Sequence, residues 1–126
     1  GIGLGTRLPI HCTAAGKALL ARLPEAEQRS LITQLRLNKR GPKTIVTKTA
    51  LRAELERIAA EDVAIEDEEL LAGRCAVAAV VQGKDGRAIA AVELAVPVQA
   101  CTPKELRTQL APKVVAAAER IAAALT

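Results

Sequence analysis

The chain has 126 residues, half of them hydrophobic and a quarter charged, with a formal net charge of +4. That length supports one domain with its own core, since chains near this size bury roughly two-thirds of their unfolded surface, and the hydrophobic content excludes a disordered segment. Phe, Trp, Tyr and Met are all absent, so Leu, Ile, Val and Ala must fill the core, and no aromatic platform exists for stacking bases or sugars.

Taken in order, residues 1–9 carry three glycines and no helical period, and read as a strand end entering a loop. Thr13 is placed to cap a helix over residues 14–22, because its hydroxyl can accept a first-turn amide. Pro24 stops that helix and can serve as the first residue of the next, whose Leu31, Ile32 and Leu35 share a face. Residues 38–43 make a polar turn. Residues 44–47 are a short β-branched strand candidate, and Leu51, Leu55 and Ile58 then recur as an amphipathic helical stripe. The acidic run Glu66, Asp67, Glu68 and Glu69 is expected to be a solvated turn.

The second half changes period. Residues 74–82 and 87–96 are β-compatible and flank Gly83, Lys84, Asp85 and Gly86, whose Asp-Gly pair favours hairpin turns. Thr102, Pro103 and Glu105 spell a capping box with proline at the first helical position. From there Leu106, Leu110, Val114, Ala118, Ile121 and Leu125 predict one long C-terminal helix. The layout is α+β: a partly antiparallel sheet with flanking helices.

Most chemical motifs fail on spacing. Gly1, Gly3 and Gly5 lack the third spaced glycine, the strand and the helix start of a dinucleotide site. His11 and Cys12 are the residue types of a thiol–imidazole pair, yet neighbours on an extended segment point apart. Arg36, Lys39, Arg40, Lys43 and Lys48 form a basic cluster without a helix-turn-helix or zinc finger beside it, so a solvated loop is expected. Cys12, Cys75 and Cys101 are too scattered for a disulfide framework or zinc site, and predict reduced thiols in a cytoplasmic protein. No run is long enough to span a bilayer, and the first residues do not read as a signal peptide. Accordingly no catalytic residue, metal or cofactor is expected.

What the residues offer is a candidate small-molecule site. Thr13, Ala14, Ala15 and Gly16 form a helix start poor in side chains, whose amides can receive an anionic group. Cys75 opens a strand, and Glu93 and Ala95 share one face of its hairpin partner.

At this point the order of motifs becomes informative. The segment Arg7-Leu8-Pro9-Ile10-His11-Cys12-Thr13-Ala14-Ala15-Gly16-Lys17-Ala18, the block at residues 44–55, the acidic motif leading to Gly73-Arg74-Cys75, and the hairpin ending at Val96-Pro97 resemble, in succession, the C-terminal effector-binding domain of IclR-type transcription regulators. The resemblance covers nearly the whole chain. It implies a GAF-like antiparallel sheet with flanking helices and a long C-terminal helix, and residues 1–126 as one effector-binding domain. The winged helix-turn-helix and the early strands of the family pattern would be missing at its N-terminus.

It also implies a pocket for a small organic acid or aromatic catabolite, formed by Leu8, Ala14, Ala15, Glu66, Cys75, Glu93 and Ala95. Such proteins are homodimers or homotetramers that contact DNA through the separate domain and have no membrane role. Glu93 stands where a Ser or other small residue is common, and a buried carboxylate there must find a cation, a proton or solvent. Two other functions remain open at this point: a small-molecule enzyme with Cys75 or Cys12 as nucleophile, and a purely structural dimerisation module.

Overall fold

The structure is a computed structural model that describes Leu4 and residues 6–125. Of the strand end expected over residues 1–9, Gly1, Ile2, Gly3 and Gly5 lie outside the described residues, and residues 6–9 form no strand. Helix α1 (Ala14–Ala21) starts where its cap predicts, with Thr13 Oγ1 accepting from Gly16 N at 3.1 Å. Helix α2 (Glu25–Gln34) follows, with Pro24 in the capping position, one residue outside the helix that it was expected to begin. Helix α3 (Lys48–Glu61) buries Leu51, Leu55 and Ile58, the predicted stripe.

Residues 44–47 are not a strand. Thr44 Oγ1 accepts from the amides of Arg40 and Gly41 and donates to the carbonyl of Glu69 at 2.6 Å, and Thr47 is consumed as the cap of α3 through Ala50 N. Local side-chain bonding of this kind holds a turn where β-branched composition alone favours a ladder.

Three strands, β1 (Ala64–Asp67), β2 (Arg74–Gln82) and β3 (Ala88–Pro97), form an antiparallel sheet in that order. The register pairs Asp67 with Cys75 and Ala64 with Ala78 across β1 and β2, and Ala76 with Ala95 and Ala78 with Glu93 across β2 and β3. The hairpin turn is the predicted one, with Gly86 at φ 82° and Gly83 N donating to Arg87 O at 2.8 Å. The acidic run is no solvated turn: Glu66 is wholly buried in β1 and Glu69 is 6% exposed, because Glu66 meets the partly buried Arg74 and Glu69 the buried Lys17.

Alternation along β2 splits the core in two. Ala76 and Ala78 face α1, α2 and α3, packing with Leu20, Ile32, Leu51 and Leu55. Cys75, Val77, Ala79 and Val81 face the C-terminal helix, packing with Leu106, Val114 and Ala118. That C-terminal segment is not one uninterrupted α-helix. The capping box at Thr102 starts α4 (Pro103–Glu105), a π-helical turn occupies Leu106–Leu110, and α5 (Ala111–Ala124) continues. Pro112, which has no amide to donate and whose ring crowds the carbonyl four residues back, sits just after the wide turn and accounts for it.

Candidate functional site

The candidate site is built on the start of α1. Thr13 fixes that start twice: it caps Gly16, and its hydroxyl donates to Pro9 O at 3.0 Å, folding the Pro9–Thr13 segment back on the helix. Gly16 is required there, since a Cβ would stand 2.5 Å from Ile10 O and 2.7 Å from Ile10 Cα. This close approach leaves the next free amide of the first turn, Ala15 N, facing the sheet, where it donates to Glu93 Oε1 at 3.0 Å.

From Glu93 a polar chain runs along the α1 side of the sheet. Arg74 Nη2 donates to Glu93 Oε2 at 2.9 Å, and Arg74 Nε donates to Glu66 Oε1 at 2.8 Å. The register explains the meeting: Glu93 lies opposite Ala78, two residues from Ala76 and four from Arg74, all on one face. Burial pushes the Glu66 carboxyl above the ordinary carboxylate range, against the pull of Arg74. Burial also works against the charge of Arg74, but its bonds to Glu66 and Glu93 outweigh that and raise it. Two carboxylates thus share one guanidinium, and one of them, Glu93, also takes the helix-start amide.

A second polar cluster lies behind the first. Lys17, fully buried, donates from Nζ to Glu54 Oε2 at 2.6 Å, Ile65 O at 2.8 Å and Glu69 Oε2 at 3.1 Å. Arg57 completes the cluster by pairing with Glu54 from within α3.

The fold brings together four of the residues expected in the pocket: Ala14, Ala15, Glu93 and Glu66. Ala14 is wholly buried beside Ala15. Ala95 shares the face of Glu93 but is exposed, and Leu8 is 39% exposed at the entry to the Pro9–Thr13 segment. Cys75 is not brought to them. It is fully buried on the opposite face of the sheet, with Sγ donating to Asp67 Oδ1 at 3.5 Å.

Arg74 and Lys17 belong to the arrangement without having been read as site residues. Period two along the strand could have found Arg74, which shares a face with Ala76 and Ala78. Lys17 was visible as the cation three residues after Ala14 on a buried helical stripe.

His11 and Cys12 do not pair: His11 Nε2 bonds Asn38 O at 2.9 Å, and burial pushes the Cys12 thiol up to about 11. The expected basic loop is exposed at Arg36, Lys39 and Arg40, and Lys43 pairs with Asp67 at 3.0 Å. Grooves elsewhere include one of about 500 Å³ over α3 and one of about 360 Å³ between β2 and α5, neither lined by the expected pocket residues. Among the described residues no acidic, His or Cys cluster is arranged to hold a metal, and no helix is long and apolar enough to cross a membrane.

Residues 2–123 match the family model described as bacterial transcriptional regulator IclR C-terminal. The chain belongs to the IclR family. This IclR domain is 39% identical over 102 residues to the "Probable transcriptional regulator SauR" of Cupriavidus necator, a match covering 81% of the chain and 40% of that relative. It superposes on the Thermotoga maritima IclR with a TM-score of 0.92 at 28% identity, covering 98% of this chain and 49% of that one. It also superposes on the inducer binding domain of the PobR transcription factor from Acinetobacter, a double mutant in complex with 3-hydroxy benzoic acid. There the TM-score is 0.87 at 30% identity, covering 94% of this chain and 69% of that one. The chain thus spans about two fifths of the length of the curated relative it matches, and the α+β fold with its antiparallel sheet and C-terminal helix is that of IclR effector domains.

Proposed function

We propose that this IclR domain binds a small organic effector between the start of α1 and the facing strands, and that binding biases a transcription regulator between two arrangements. The observation that carries the reading is the polar chain from Ala15 N through Glu93 and Arg74 to Glu66, set against alanines at positions 14, 15 and 95. A carboxylate held in place by a helix-start amide and a guanidinium, and bordered by small side chains, is a fixed polar group of the kind with which a protein orients a small ligand. The PobR complex with 3-hydroxy benzoic acid supports an effector the size of an aromatic catabolite.

In this reading Leu8 and Ala95 border the ligand, and Cys75 contributes packing from beneath the sheet. The effector shifts the regulator only by binding one arrangement better than the other. DNA contacts are made by a helix-turn-helix part outside these residues, within a cytoplasmic homodimer or homotetramer, and the domain performs no catalysis. The thiol pushed to about 11 at Cys12, and at Cys75 likewise, supports that last point, because neither supplies a thiolate nucleophile at neutral pH.

The test is a thermal-melting screen of small aromatic and aliphatic metabolites, repeated on Ala15→Trp. A ligand at a hundredfold over its Kd stabilises by roughly 2.7 kcal/mol. Stabilisation that disappears in Ala15→Trp is the expected result; a ligand that stabilises both equally places the site elsewhere.

A further inference from the structure

We infer that Glu93 sets the charge of the effector: the protein's own carboxylate occupies the position that would receive a ligand carboxylate, so this domain takes ligands ending in an ammonium or neutral hydrogen-bond donor. The inference rests on the effector-site reading above and goes beyond it by naming the ligand class.

The argument is one of occupancy and charge. Both Glu93 oxygens are engaged, Oε1 by Ala15 N at 3.0 Å and Oε2 by Arg74 Nη2 at 2.9 Å. A helix-start amide and a guanidinium are what an incoming carboxylate would use. Arg74 is further committed to Glu66, whose side chain has no exposure. The cluster of Glu66, Arg74 and Glu93 therefore holds two negative charges against one positive. The polar cluster around Lys17 offers no relief, since Lys17 is already bound by Glu54 and Glu69.

Access follows the same order. The Glu93 side chain is 21% exposed, that of Arg74 13%, and that of Glu66 0%, so a ligand entering from solvent meets the carboxylate first. Each carboxylate oxygen can accept more than one hydrogen bond, leaving Glu93 able to receive a donor while keeping Ala15 and Arg74. Its neighbours on the same face of β3, Ala91 and Ala95, are too small to cover it. An acid can enter only by driving Glu93 off both partners or by adding a third negative charge.

The test uses the full chain and matched compounds on one skeleton: 3-hydroxybenzoate with 3-hydroxybenzylamine, benzoate with benzylamine, and butyrate with butylamine. Affinities are measured by calorimetry on the wild type, Glu93→Gln, Glu93→Ser and Glu93→Asp. The expected result is amine binding at least tenfold tighter than that of the matched acid in the wild type, and the same preference in Glu93→Asp. In Glu93→Gln the amine should weaken and the acid tighten by tenfold or more. If Glu93→Gln does not fold, Glu93→Ser carries that comparison, and the wild-type preference stands as a test by itself.

An acid that binds the wild type as tightly as its amine, or that gains nothing when Glu93 is neutralised, overturns the inference and leaves the effector site in place. Failure of every compound to bind the wild type and all variants overturns the effector site and the inference together.

Discussion

Lys17 Nζ lies 2.9 Å from Glu69 Oε1 with the lysine side chain wholly shielded from solvent. That oxygen is held by charge, not by an aligned hydrogen bond, while Oε2 takes the bond at 3.1 Å. All three ammonium protons are used, on Glu54, Ile65 O and Glu69, so α1, α3 and the segment after β1 are tied at one atom. Lys17→Met should cost about 3–5 kcal/mol, the usual loss when one partner of a buried ion pair is removed. Adding Glu54→Gln and Glu69→Gln should recover part of it. Urea denaturation of the single and triple variants measures both.

The same cluster predicts an opposed pair of pH effects. Burial raises Glu69 above its ordinary 4.5 despite Lys17. The folded chain then holds a proton that the unfolded chain has released, so stability falls as pH rises from about 4.5 through the higher folded value. For Glu54, burial pulls upward, but Lys17 and Arg57 outweigh it and lower the value. Its contribution is present above 4.5 and is lost as pH falls through the lower folded value. Glu69→Gln should flatten the decline above 4.5, and Glu54→Gln should remove the loss on the acid side. Melting temperature against pH for the two variants separates them; identical profiles would contradict the assignment.

Cys12 and Cys75 are fully buried with thiols pushed to about 11, whereas Cys101 is partly exposed. Under native conditions near neutral pH, Cys101 should react with a thiol reagent first, and all three should react in guanidinium. Mass spectrometry of the alkylated chain gives the order. Rapid native labelling of Cys12 or Cys75 would revive a thiol nucleophile.

Gly16→Ala places a Cβ 2.5 Å from Ile10 O and 2.6 Å from Thr13 Oγ1. Since the carbonyl is backbone and cannot swing away, the helix start must shift, at about 1–3 kcal/mol. Ala15 N would move off Glu93 with it. Calorimetric melting reads the stability loss, and weakened effector affinity in the same variant would tie the glycine to binding.

Thr102→Ala removes the bond that Thr102 Oγ1 accepts from Glu105 N at 3.1 Å and leaves the reciprocal bond from the residue-102 amide to Glu105 Oε1 in place. Typical caps of this kind are worth about 1 kcal/mol. A correspondingly lower melting point with the rest of the structure unchanged is the expected outcome.

The elements that were legible in the sequence are those whose signal is local. Thr13 and Thr102 cap the helices that follow them, Gly86 turns the hairpin, and Leu51, Leu55 and Ile58 mark a buried stripe. What was not legible depends on partners distant in sequence. Glu66 and Glu69 look like a solvated turn until Arg74 and Lys17, 8 and 52 residues away respectively, arrive to pair with them. Residues 44–47 have strand composition, but Thr44 finds its partner on Glu69, 25 residues on. Cys75 follows the same logic: its membership in the motif is plain, but the side of the sheet it faces is fixed only once β1 pairs with β2.

Strand β2 is the wall between the two cores, and the centre of the side it presents to α1 is made of Ala76 and Ala78, between Arg74 and Val80. Alanine has no rotamer to change, so at these two positions no side chain can swivel to absorb a displacement arriving from the helix above. Any push on Arg74 or on the neighbouring helix start must travel as movement of the main chain itself. The tightly packed valines on the reverse, Val77 and Val81, would then hand it to the C-terminal helix. A strand with no adjustable side chain at its centre acts as a stiff plate, and a stiff plate transmits what a soft one would dissipate.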